Sequence, residues 1–295
     1  MIWVTWRQHR TQAVVCLALF CAVAIAAVAL GAWMRATFSS DGLGACLARS
    51  GGAGCPGVIT SFTQKFSGPA MVPLGILLVA IPGYLGAVVG APLLGQELER
   101  GTWQLAWSQT VPRTRWLVTQ LALVMGGLAV FGAAVTAVVT WARAPLDEVS
   151  VRAQPPLNFE GVFLTCSLLC AFALGVLAGL LLRNTIGAMV VAYIAWEVPF
   201  LLTTLLSGPL RILATTRTIA CATGCAQASA NSVPPVTGNL GDQVLSLTRT
   251  GNHLNVTYLP ASRFWTLQLI DAGVFLAVAA AALGTAIWLL HRRTT

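Results

Sequence analysis

Charged side chains are sparse in this chain, yet Glu97, Glu99, Arg100, Arg113 and Arg115 crowd into the stretch GQELERGTWQLAWSQTVPRTRW, residues 95–116. At the centre of a bilayer each would cost about 3 kcal/mol, so the segment must leave the membrane. A connecting loop with interfacial anchors meets that requirement, and so does a docking surface for a soluble protein. Two further acids stand apart. Glu197 lies about eleven residues beyond Ile186, roughly 16 Å along a helix, inside an apolar run. An acid at that depth marks a transport path or a proton relay, or else is protonated and hydrogen-bonded to a neighbouring helix. Pro199 close by frees a backbone carbonyl and favours a kink. Asp271 falls near the outer end of the last apolar run, where solvent is expected to reach it.

The residues needed for hydrolysis are poorly placed. His9, His253 and His291 all lie outside the apolar runs, so a zinc-binding helix or a membrane Ser–His pair is hard to assemble. A phosphate-cradling P-loop needs Gly-Lys before Ser or Thr, whereas the one lysine, Lys65, follows Gln64. The chain is therefore expected to be no enzyme and to need no cofactor and no metal. A primary transporter built on it would draw its ATPase from a separate polypeptide.

The elements that position these groups follow from composition. Hydrophobic residues make up 57% of the chain and charged residues 9%, and the mean hydropathy is +0.79, which defines an integral membrane protein. Apolar runs long enough to cross about 30 Å of hydrocarbon fall near 12–33, 72–94, 116–141, 161–182, 186–206 and 264–290. Each is continuously apolar and without alternation, so each reads as a helix and not a barrel strand. The first run, although preceded by Arg7 and Arg10, is longer than a signal core and lacks a convincing cleavage site; it reads as a retained span. The expected fold class is an all-α membrane protein, a single transmembrane domain over 1–295 with six helices and both ends on one side.

Basic residues orient the bundle. Arg7, Arg10, Arg100, Arg113, Arg115, Arg183, Arg292 and Arg293 sit on the short connections and ends, and the remaining basic residues are spread over three longer loops, 34–71, 142–160 and 207–263. The short side, including 95–115, is expected to be cytoplasmic. The cysteines agree, because disulfides persist outside the cytosol: Cys46 and Cys55 share the first long loop, and Cys221 and Cys225 share the last. Each pair is a disulfide candidate or, alternatively, two free small residues. The net charge of +8 is dispersed and mostly arginine, which suits anionic lipid headgroups and not nucleic acid. Gly86 with Gly90, and Gly175 with Gly179, have the spacing that lets helices approach closely.

Within the polar island, Leu94, Leu98 and Leu105 fall near one helical face, with Trp103 and Trp107 on the opposite one. A short helix along the membrane interface fits this pattern. Thr110 can cap the next helix, with Pro112 in its first turn. The run ELERGTWQLAWSQTVPRTRWL is similar to the segment that follows the second span in ABC-2 type transporter permeases, and MIWVTWRQHR resembles the start of actinobacterial members. In that family the segment forms the coupling region that contacts a separate ATP-binding subunit. The resemblance implies docking through Glu97, Glu99, Arg100, Gly101 and Thr102, to which Trp103 and Trp107 are added from the island's pattern. It also implies a second permease copy or homologue and a bacterial plasma-membrane location; relatives often carry short membrane-dipping helices in the last long loop, which here is long enough for them but gives no clear helix signal. The first long loop exceeds that of many relatives. The implied function is the permease subunit of an exporter for a hydrophobic compound, drug, lipid or peptide, with Glu197 lining the path. A proton-coupled secondary carrier using Glu197 is the alternative.

Overall fold

A chain in hydrocarbon must satisfy every backbone N–H and C=O within its own segment, and helices do so. The computed structural model describes residues 2–50, 56–66, 71–99, 113–149, 161–182, 184–207, 214–220, 243–250 and 253–292. Six helices are long and apolar enough to cross a membrane. The first is α1 (Ile2–Ser40). The second is continuous through α4 (Val72–Leu85), a π-helical turn (Gly86–Gly90) and α5 (Ala91–Glu99). Then follow α6 (Arg113–Asp147), α7 (Phe163–Leu182), α8 (Thr185–Ser207) and, after the last long loop, α9 (Phe264–Arg292).

Helix ends overrun the apolar runs, because hydropathy marks only the part that needs hydrocarbon. Thus α1 has 39 residues, about 58 Å at the usual rise. The loop expected over 34–71 is largely helical: α1 continues to Ser40, and α2 (Leu43–Ser50) and α3 (Pro56–Lys65) follow. These short helices fold because Met34, Leu43, Phe62, Phe66, Leu146 and Val149 bury one another in a cluster at the ends of α1 and α6. Arg35 closes the same corner, lying 3.8 Å over the Trp141 ring and donating to the Trp141 carbonyl.

The last long loop, where the resemblance allows short membrane-dipping helices but the residues give no clear helix signal, carries a three-stranded antiparallel sheet. Strands β1 (Thr215–Ala220), β2 (Gln243–Thr250) and β3 (His253–Leu259) take the order β1-β3-β2. Thr250 pairs with His253, so two residues, Gly251 and Asn252, separate β2 from β3, a connection typical of hairpins. Along β3, Val256 and Tyr258 are buried, whereas Thr257 and Asn255 meet Thr216 and Thr218 of β1 through side-chain hydrogen bonds.

The centre of the bundle is α7, which is largely buried, whereas most of the apolar stretch of α1 is not. It packs on α9, on the second span, on α8 and on α6. Its closest neighbour is the second span, and the two glycine pairs noted in the sequence face each other there. A Cβ added at Gly86 would meet the Ala171 backbone at 2.5 Å, and one at Gly90 would meet the Phe172 carbonyl oxygen at 2.6 Å. From the other side, a Cβ at Gly175 would strike the Gly86 carbonyl, and one at Gly179 the Ala91 carbonyl. The obstacles are backbone atoms, which cannot rotate away. Ala87, Ala91, Ala178, Ala188 and Ala192 extend the small-residue layer to α8.

Gly175→Leu or Gly179→Leu should therefore abolish folding to a monodisperse species in detergent, since overpacking even a yielding core costs about 1–3 kcal/mol. Gly126→Ala is the control. A Cβ there meets nothing within 4 Å, so the melting temperature should hold or rise slightly, alanine being favoured over glycine in helices by about 1 kcal/mol. Size-exclusion profiles and thermal melts of the purified variants check both outcomes.

Candidate functional site

The end of α5 lies against the start of α8, where a Cβ at Gly95 would make ordinary contacts, 3.6 Å from Thr185 and 3.7 Å from the Gly179 Cα. Four residues later, Glu99 reaches the start of α8. Its Oε2 accepts hydrogen bonds from the Thr185 backbone N–H at 3.1 Å and from the Thr185 hydroxyl at 2.6 Å. Asn184 caps the same helix from within the chain, its Oδ1 accepting from the N–H groups of Ile186 (3.0 Å) and Gly187 (3.3 Å). The Ala188 N–H then makes the first helical bond to the Asn184 carbonyl. A helix start leaves its first N–H groups without internal partners; here the three at 185–187 are all satisfied. No acid lies in the first turn of α8, so the negative charge that favours a helix N-terminus comes from Glu99 in another span.

Glu99 is thus the expected docking residue whose side chain the structure describes, and it bonds within the chain. Glu97 falls in α5, with no side-chain placement described. Arg100, Gly101, Thr102, Trp103 and Trp107 lie outside the described residues. Cys46 is disulfide-bonded; Cys55, Cys221 and Cys225 lie outside the described residues, and Cys16, Cys21, Cys166 and Cys170 are free.

Glu197 occupies the middle of α8 on a face exposed in the single chain. Around it Tyr193, Ile194, Val198 and Leu201 are between 41% and 66% exposed. The next residue back, Trp196, points inward: it is buried, stacks on Phe200 with ring centroids 5.3 Å apart, and packs at Gly83 of α4. One side of α8 is therefore fixed to the second span while the other presents an acid.

Asp271 corrects the sequence expectation. Its side chain is 2% exposed, and it shares the buried face of α9 with Gln268, Ala272 and Phe275. Phe275 meets Phe163 of α7 edge to face at 5.3 Å. Position along a span was legible, but the direction of the side chain was set by packing against α7. Both polar atoms of Gln268 and the Asp271 Oδ1 are buried with no hydrogen-bond partner among the described residues. Thr185, Asn184 and Gln268 were not singled out from sequence. For the first two the available signal was an Asn-Thr pair opening an apolar run, a common helix start.

Six apolar helices bundled on a seam of small residues define a multi-pass membrane protein. Residues 17–207 match the ABC-2 membrane transporter related family, and the chain belongs to it. The protein is accordingly an ABC transporter permease, a class that works with an ATP-binding partner. The match takes in the glycine seam, Glu99 and Glu197. No curated protein and no solved structure matches the chain.

Replacing unpartnered buried polar groups by an apolar side chain of similar shape is close to neutral or stabilising. Gln268→Leu should therefore keep or raise the melting temperature in detergent, for a stability gain of up to about 1 kcal/mol. A fall of comparable size would mean that Gln268 finds a partner in the folded protein.

Proposed function

We propose that this chain is the membrane-spanning subunit of an ABC exporter in the bacterial plasma membrane, working as a pair of permease copies or homologues. The observation that carries the reading is the exposed position of Glu197. A charged side chain facing lipid at mid-span costs about 3 kcal/mol, and intramembrane acids face a bundle interior or a water-filled cavity. The exposed face of α8 therefore belongs at a seam with a second permease, where Glu197 lines a path between the two.

The termini and the segment 95–115 lie on the cytoplasmic side, the arginine-rich ends meeting anionic headgroups. Segment 95–115 docks the ATP-binding subunit, with Glu97, Arg100, Gly101, Thr102, Trp103 and Trp107 as the contacting residues and Glu99 at its base. Hydrolysis occurs in that partner, because the single lysine lies outside any P-loop pattern. The disulfide at Cys46 favours placing the long loops outside. The cargo is a hydrophobic compound, drug, lipid or peptide. A proton-coupled carrier remains the second reading, favoured by the same mid-span acid.

The tagged chain, extracted in mild detergent from its native host, should bring down a P-loop ATPase in stoichiometric amount, with activity that rises on association. Glu97→Arg should reduce that capture while the melting temperature holds. Recovery of the chain alone, with transport that survives ATP depletion and collapses with the proton gradient and with Glu197→Gln, would establish the carrier instead.

A further inference from the structure

The Glu99–Thr185 contact joins residues 86 positions apart and links the two spans that matter most to the proposed function. Glu99 ends α5, where the proposed docking segment begins. Thr185 opens α8, which carries Glu197 twelve residues further on. The carboxylate accepts hydrogen bonds from both the backbone N–H and the hydroxyl of the same residue, so it constrains the position of the α8 start and not merely its charge. Asn184 already supplies a cap from within the chain. The bond from Glu99 is therefore not required to begin the helix, and its distinctive effect is to make the start of α8 follow the end of α5. Higher in the bundle the same two spans touch through Ala87, Ala91, Ala188 and Ala192, and through Trp196 at Gly83. These contacts keep α8 in register with the second span above the carboxylate.

We infer that Glu99 is a positioning residue that transmits displacement of the docking segment to α8 through Thr185. This rests on the proposed function. Movement of α5 by a bound ATPase pulls directly on the first turn of α8, and the helix carries that movement to the face bearing Glu197. A docking residue would bind the partner; Glu99 passes on what the partner does.

The test uses the full chain with its captured ATPase, in native-host membranes, with Cys16 and Cys21 replaced by Ala. Val198→Cys reports the exposed face of α8 through its labelling rate with a charged methanethiosulfonate, with and without ATP plus vanadate. Thr185→Val and Glu99→Gln should capture the ATPase at the parent stoichiometry but shrink the nucleotide-dependent change in labelling about tenfold, within the range usual for coupling between sites. Thr185→Ser, which keeps the hydroxyl, should restore at least half of it. An undiminished labelling change in Thr185→Val would overturn the inference, as would a loss of capture in proportion to the lost signal, which would make Glu99 a docking residue. Failure of the parent chain to capture any ATPase would instead remove the proposed function and the inference with it. A thermal melt of each variant separates these outcomes from unfolding.

Discussion

The contact on which the rest depends is the backbone-to-backbone approach of the second and fourth spans. With lipid on one side and protein on the other equally apolar, burial of hydrocarbon gives little preference for any helix pairing. Shape decides instead, and the pairs Gly86/Gly90 and Gly175/Gly179 interlock where a Cβ on any of them would strike the facing backbone. That interlock sets where α5 ends, and therefore whether Glu99 can reach Thr185. The alanine layer then brings α8 onto the same frame. Over this layer the three spans pack through small residues, and the start of α8 is tied to the end of α5 by the Glu99–Thr185 bonds.

The frame explains how one helix can hold two opposite demands. The inner side of α8 carries Ala188, Ala192 and buried Trp196; the outer carries Glu197 among exposed apolar residues. A helix fixed along one side can present a charged group at mid-depth without rotating it into its own bundle. The energetic cost of that acid in lipid is what argues for a second permease against this face.

Much of the helical architecture was legible because hydrocarbon allows so few backbone structures: continuous runs near 72–94 and 161–182 had to be helices. The glycine pairs were legible as spacing, but their partnership was not, since each pair only states that something comes close. The last long loop gave no clear helix signal, and its sheet had a readable one in β3, where Leu254, Val256 and Tyr258 alternate with Asn255 and Thr257. The helices α2 and α3 depend on Phe62 and Phe66 meeting Met34 and Leu146, a long-range cluster that no local pattern announces. For the site, the acids were found and their surroundings were not. Glu99 was read as a docking group and is exposed, but its bond to Thr185 was not legible because that residue is remote in sequence, and Asp271 was placed in reach of solvent because a linear reading gives depth along a helix but not direction around it.

The most direct test is whether the exposed face of α8 meets its counterpart in a second copy. Ile194→Cys, in a background with Cys16 and Cys21 replaced by Ala, can be treated with a short bifunctional maleimide in native membranes and resolved by denaturing electrophoresis. A cross-linked dimer in high yield, absent when the cysteine is placed instead at Leu123 on α6, is the result this account predicts if the partner is a second copy. With a homologue as partner, the product is a heterodimer identifiable by mass. A chain that stays monomeric under both conditions would leave Glu197 facing lipid and contradict the account.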